Sequence, residues 1–402
     1  MDELTQELYI ASRKLQESPV AIRVFAFTQG ATSWDAFAQR CEASFRCAFH
    51  ASRMWQIDYN PLMRLVRLDI ILCTADDQVK IGQCAVGIRK SDHVFCDAIQ
   101  VLPDYRHLWS LSMRAVLSHL GDGYYRYGSD WCLDKCRSAE LHALPGVSVI
   151  STAAVDMIAI DFKRWESFDA FYKEVSKNAR RNVQKAERSY PGLDFAIRRQ
   201  WQIFWDLVPL ELSRLRLFKK KRILTSRASL VIRSLSRVLT TSKFSFTARN
   251  VSGDKTLARF MGITFGPIMF FMEAAAAEDH GGGAASHLLK CMIETAYMQT
   301  TGRGMFVFGP DNHENDADPV WQGLARSRLQ WQAKSYPISV VQCLFKNGVT
   351  DAGLSEGRQS DSLYFATKTE ILNWPGHPSP CVIMTEAACG KACWLSAFLR
   401  GL

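Results

Sequence analysis

Three consecutive stretches decide how this chain folds: Thr256-Leu-Ala-Arg-Phe-Met-Gly-Ile-Thr-Phe265, Pro267-Ile-Met-Phe-Phe-Met-Glu273 and Asp279-His-Gly-Gly-Gly-Ala-Ala-Ser286. The first two are rich in β-formers and are separated by a Gly266-Pro267 turn, so they read as neighbouring strands. The third is a loop of small residues. Beyond it Leu288, Leu289, Met292, Ile293 and Ala296 recur at helical spacing, and Gly302 ends that helix. Met305-Phe-Val-Phe308 is then a short apolar strand closed by Gly309-Pro310. Small residues before a helix let free backbone N–H groups approach a phosphate closely, and the helix dipole favours the same anion. Gly281, Gly282, Gly283, Ala284, Ala285 and Ser286 are therefore candidate anion-binding positions, although a glycine run alone also fits a plain linker.

Upstream stands Ser176-Lys-Asn-Ala-Arg-Arg-Asn-Val-Gln-Lys-Ala-Glu-Arg-Ser-Tyr-Pro-Gly192. At helical spacing Val175, Ala179, Val183 and Ala186 form a narrow apolar stripe. Arg181, Lys185 and Arg188 share another face, with Asn178 and Asn182 beside them, and Pro191-Gly192 ends the helix. A solvated charged face is the simplest account. Two Asn, which are poor helix formers, favour a binding face built from Asn178, Arg181, Asn182 and Lys185. From Lys177 to Arg237 there are 16 Lys and Arg against 4 Asp and Glu, an excess of 12, whereas the whole chain carries +9. Such a segment suits an anionic partner such as a nucleotide phosphate, RNA or an acidic carrier protein.

A length of 402 residues exceeds one ordinary core. An apolar fraction of 48% and a charged fraction of 22% belong to a globular protein. The start, Met1-Asp-Glu-Leu-Thr-Gln-Glu7, has no basic region followed by an apolar one, so no secretory signal is expected. The most apolar stretch, 262–277, contains Pro267 and Glu273 and is too short to span a bilayer. A cytoplasmic location with no membrane span is the expectation. Twelve cysteines lack a framework spacing, and neither Cys132/Cys136 nor His377/Cys381/Cys389/Cys393 has the paired spacing of structural zinc, so no metal is expected.

The first half carries its own helix–meander–helix–strand pattern: helices over 1–18, 34–53 and 108–120, and strands over 63–73, 79–89, 94–101 and 147–161. In the second half Ser167 caps a helix starting at Phe168. A strand over 194–198 follows the basic helix, and then come helices over 203–217, with Pro209 inside, and 229–241. A hairpin turns at Ser252-Gly253, and late strands lie within 327–345. Residues 349–362 read as a linker, and 363–402 have no assignable pattern. The expected divisions are an N-terminal degenerate subdomain over 1–150, a second over 151–348, and a linker and tail over 349–402.

The order of basic helix, β-meander, glycine loop, helix and Phe-x-Phe-Gly strand resembles the GNAT acyltransferase superfamily, over about residues 35–346. The string Ser-Lys-Asn-x-Arg-Arg-Asn-x-x-Lys-x-Glu-Arg at 176–188 resembles, more narrowly, the branch of cellulose-biosynthesis-associated acetyltransferases, which is similar in fold to the Fem peptidoglycan aminoacyltransferases. The resemblance implies an α+β fold of two GNAT-like α/β subdomains, each a mixed, mainly antiparallel sheet flanked by helices. It implies acyl-CoA, as co-substrate rather than a permanently bound cofactor, lying between splayed strands 267–273 and 305–308 with its pyrophosphate on 281–286. Glu273 stands where the family's general base often lies. His287, at a helix start that keeps it neutral, and His313, where some members carry a Tyr acid, are further catalytic candidates. Asn178, Arg181, Asn182 and Lys185 would line the acceptor cleft.

The function implied is N-acyl transfer from acyl-CoA, or from an acyl carrier protein, to a small-molecule or peptidyl amine. Two alternatives stay open. One is a Fem-like transferase drawing on aminoacyl-tRNA, with RNA on the basic segment. The other is a catalytically degenerate binding protein, because Val307 stands where the family often has Asp, and 318–322 where it tends to have a Tyr-Lys pair. No Ser-His-Asp elbow, Gly-x-x-x-x-Gly-Lys loop or Gly-x-Gly-x-x-Gly fingerprint is visible.

Overall fold

The structure is a computed structural model that describes residues 21–74, 77–129, 131–133, 138–220, 243–276, 283–311 and 326–347. The expected helices over 1–18 and 229–241, the linker and tail from 349, Gly281, Gly282 and His313 lie outside the described residues.

The first half contributes β1 (Ala21–Ala26), α1 (Ala31–Arg40), α2 (Phe49–Tyr59), β2 (Arg64–Cys73), β3 (Gln78–Arg89), β4 (Asp92–Phe95), β5 (Gln100–Val101), α3 (Trp109–Leu120), β6 (Gly123–Tyr127) and the short α4 (Ser138–His142). Next come β7 (Val147–Asp161), α5 (Phe168–Glu174), α6 (Lys177–Ser189), β8 (Asp194–Arg199) and α7 (Ile203–Lys220). The second half continues with β9 (Ser245–Ser252), β10 (Lys255–Phe265), β11 (Ile268–Ala276), α8 (Ala284–Gln299), β12 (Met305–Asp311) and β13 (Lys334–Phe345).

All strands among the described residues join one sheet in the order β1-β2-β3-β4-β6-β13-β7-β12-β11-β10-β9-β8, with β5 added beside β3. The order is a palindrome. In one half β1 to β4 are antiparallel and β4 runs parallel to β6; in the other β8 to β11 are antiparallel and β11 runs parallel to β12. The two halves exchange their last strands. β7 follows β6 in sequence but pairs with β12, and β13 follows β12 but pairs with β6. β7 and β13 pair with each other at the centre, so the division expected at 150/151 falls inside β7. The sequence of β7 reflects this position. Its first residues alternate between half-buried and exposed, whereas 155–160, flanked by strands on both sides, form an almost continuous buried run.

The second half of the sheet is covered on both faces. On one face Phe260, Met269 and Phe306 pack with Leu288 and Met292 of α8 and with Ala179 and Val183 of α6. On the other, Phe265, Phe270 and Val307 pack with Ala38, Phe45 and Trp131 from the first half. Further along that face α7 lays Ile203, Leu207 and Leu210 against Met261. α6 begins at Ser176, whose hydroxyl accepts from the Ala179 amide at 3.2 Å, and Ser167 caps α5 in the same way.

The helix expected over 34–53 is two helices. Glu42, with φ of 56°, breaks it, and the carboxylate of buried Asp35 accepts from the Phe49 amide at 2.7 Å to start the second. The strand expected over 94–101 is also split, because Asp97 turns inward between β4 and β5. α7 runs through Pro209 without ending, and among the described residues the late region holds a helical turn at 326–329 and then one strand, β13.

Candidate functional site: a parted pair of parallel strands

β11 and β12 pair in parallel only at Ile268↔Met305, Met269↔Phe306 and Phe270↔Val307. Beyond that point β11 stays with β10 and β12 with β7, so the two strands part toward their C-terminal ends. Each strand carries one extra residue where the parting begins. Gly262 faces Phe271 and Met261 faces Glu273, leaving Met272 bulged; Val307 faces Ala159 and Gly309 faces Ile158, leaving Phe308 bulged. A bulge bends its strand and re-aims the backbone, so the gap is lined by peptide groups with no ladder partner across it. Gly309 holds φ of 108°, and a Cβ there would stand 3.2 Å from the Trp131 ring. The first half thus packs directly on the wall of the gap.

The chain crosses from β11 to α8 through the glycine loop. Gly283 is pressed against α6: a Cβ would lie 2.7 Å from the Asn182 carbonyl oxygen and 2.8 Å from the Ala186 nitrogen. The basic helix is therefore seated beside the start of α8. Buried Asn250 ties this corner together, its amide donating to the Ala284 carbonyl at 2.8 Å and standing 3.2 Å from His287 Nδ1. His287 also has Cys291 Sγ at 3.7 Å and Glu187 Oε1 at 4.0 Å from Nε2. Burial is the main cause that pushes its pKa below the ordinary histidine value, with Glu187 pulling the other way. Ala284 is buried, Ser286 half-buried and Ala285 exposed.

Glu273 is only 5% exposed. It sits opposite Met261, and directly opposed residues share a face, so Glu273 lies on the α7 side of the sheet. α6 and α8 lie on the other side, against Phe260 and its neighbours. Asn178, Arg181, Asn182 and Lys185 are all exposed on α6. The structure thus brings the backbone of α6, Gly283 and His287 together at one corner, with Arg181 and Lys185 exposed on α6, and places Glu273 on the opposite face.

Sequence reasoning missed a polar group on the Glu273 face. Buried Asp206 of α7 meets Arg198 at 3.6 Å, Arg259 at 3.8 Å and Thr247 at 3.1 Å. Arg249 faces Arg259 directly across β9 and β10, and Arg259 is two positions from Met261 on the same face. Burial lowers the Arg259 pKa, opposed chiefly by Asp206. The signal was present, since Arg249, Arg259 and Asp206 are charged residues within otherwise apolar strand and helix patterns, but the pairing that unites them is non-local. Among the described residues no group of His, Cys, Asp and Glu could hold a metal, and no helix is long and apolar enough to cross a membrane.

No family model and no characterised protein matches the sequence. Solved structures do match. FemX superposes with a TM-score of 0.58 at 10% identity, over 79% of this chain and 96% of FemX. A conserved protein of unknown function from Bacteroides thetaiotaomicron superposes with a TM-score of 0.51 at 10% identity, over 81% of this chain and all of that one. A tandem GNAT protein from the clavulanic acid biosynthesis pathway gives 0.39 at 13% identity, over 83% of this chain and 100% of that one, a looser likeness on which nothing rests. At such identities the likeness is one of fold: this chain has the α+β fold of FemX, a mixed sheet flanked by helices.

Proposed function

We propose that the second half transfers an acyl group from a CoA thioester to an amine. The observation that carries this reading is the parting of β11 and β12 after Phe270 and Val307, with Glu273 at its lip and the start of α8 downstream. A thioester laid in the gap would offer its carbonyl oxygen to a backbone N–H on the parted edge. The amine nitrogen attacks the carbonyl carbon, the C–S bond breaks, Glu273 takes the amine proton, and the thiolate leaves and picks up a proton. The phosphates of the donor would lie on 281–286 and the start of α8. Because α6 is seated against Gly283, we read Asn182 and Lys185, with Arg181 and Asn178 further along, as flanking those phosphates. The acceptor would then approach from the Glu273 face, where the arginines of β8 to β10 stand. His287, held by Asn250, would position the first turn of α8.

A Fem-like donor is the second reading, favoured by the FemX fold and by the exposed basic face of α6. An aminoacyl-tRNA would place its phosphates on that face, and binding would fall steeply with salt. Membership of the cellulose-biosynthesis-associated branch rests on the 176–188 string, and an acyl carrier protein in place of CoA rests on the basic segment. The test is transfer from acetyl-CoA, an acylated carrier protein and aminoacyl-tRNA to a panel of amines. Acetyl-CoA turnover supports the first reading, and turnover only with aminoacyl-tRNA supports the second. Donor affinity without turnover on any amine would mark a binding protein.

A further inference from the structure

The palindromic sheet gives the first half its own parted strands. β4 and β6 pair in parallel from Asp92↔Tyr124 to Val94↔Arg126. Asp97 lies three residues beyond Val94, as Glu273 lies three beyond Phe270, so the two carboxylates occupy matching places in the two halves. A cavity of about 330 Å³ opens at this matching place, lined in part by Asp97, Ala98, Ile99, Trp109 and Ile268. That volume is at the lower end of small-molecule sites. Because the halves run in opposite senses, it opens on the edge of the sheet where β11 and β12 begin, away from the gap where they part.

The floor of this cavity is built and polar. Asp97 is 3% exposed, and its carboxylate accepts from Ser44 Oγ at 2.5 Å, from Ser129 Oγ at 2.5 Å and from Cys47 Sγ at 3.4 Å. These bonds hold the floor together and use both carboxylate oxygens, so Asp97 is engaged as a clamp. The mouth is basic. Arg106 pairs with Glu42 at 3.0 Å, while Lys163 and Arg303, brought in from the second half, have no carboxylate within ion-pair distance among the described residues. Between mouth and floor Ile99, Val101, Trp109 and Ile268 supply an apolar wall, with Gln100 as a polar group among them.

We propose that this cavity is a second ligand site, for a small organic anion whose carboxylate or phosphate meets Lys163, Arg303 and Arg106 while its apolar body lies against Ile99 and Trp109. It is separate from the acyl-donor gap and performs no chemistry. Calorimetric titration of the full chain with hexanoate, hexyl phosphate and hexylamine tests it. Hexanoate or hexyl phosphate should bind and hexylamine should not, and whichever anion binds more tightly identifies the head group. The double charge reversal Lys163→Glu and Arg303→Glu, both exposed, should weaken anion binding roughly tenfold or more, as loss of charge-assisted contacts does, with acetyl-CoA affinity unchanged. Filling the cavity by Ala98→Leu should abolish anion binding in a variant that retains acetyl-CoA affinity. Hexylamine binding as tightly as the anions, or anion affinity unchanged in the charge reversal, would overturn the proposal, as would competition between hexanoate and acetyl-CoA.

Discussion

Glu273 and Asp97 stand at matching positions and meet different surroundings. Asp97 is saturated by two hydroxyls and a thiol, and burial pushes its carboxyl above the usual range. Glu273 lies where the second half's strands part, one residue past the Met272 bulge. We predict that Glu273→Gln retains donor binding and lowers turnover by roughly 10²-fold, as loss of a general base does; turnover at the wild-type rate across pH would make Glu273 structural. His287 gives a prediction in pH. Its folded pKa lies below 6.5, so the folded state prefers the neutral ring, and that contribution is present above about pH 6.5 and lost as pH falls below it. Melting temperature should therefore decline from pH 7.5 to 5.5, and His287→Gln should flatten the decline. Some slope should remain, because burial shifts His93 in the same direction. Equal slopes in variant and wild type would remove His287 from the account.

At the scale of the element, the contact between α6 and α8 decides what the basic helix does. Their backbones approach at Gly283, so Gly283→Ala forces a methyl onto the Asn182 carbonyl and should cost about 1–3 kcal/mol, as overpacking does, read as a lowered melting temperature. Replacing exposed Arg181 and Lys185 with Ala should leave the melting temperature unchanged and raise the donor KM while sparing the acceptor KM. A rise confined to the acceptor KM would return α6 to the acceptor side. The buried stripe of this helix was fully legible: Ala179, Val183 and Ala186 recur at helical spacing, and all three are buried with Val175. Local signals such as the Ser167 and Ser176 caps and the hairpin at Ser252-Gly253 were legible for the same reason, since their partners lie within a few residues. The face that carries Glu273 was not. It depends on a single extra residue, Met272, and a bulge inverts the alternation without leaving a mark in composition.

For the whole molecule, the decisive feature is the exchange of β7 and β13 between halves. The alternation in 147–161 identifies a strand but not its partner, and the partners lie up to 198 positions away, as in Val147↔Phe345. The doubling could thus be glimpsed as a repeated order of elements, while the continuous sheet, the cavity beside Asp97 and the arginines around Asp206 all depend on pairings between distant segments. Because each half takes its last strand from the other, the two halves are expected to fold as one unit. Unfolding should be a single cooperative transition by both circular dichroism and tryptophan fluorescence, and two separated transitions would show halves that fold independently. The central claim is that the acyl donor lies where β11 and β12 part. Backbone hydrogen exchange of the full chain, with and without acetyl-CoA, tests it most directly. Slowed exchange is predicted over 271–276 and 283–288 and little change over 96–133; slowing confined to 96–133, or none in either segment at saturating donor, would contradict the account.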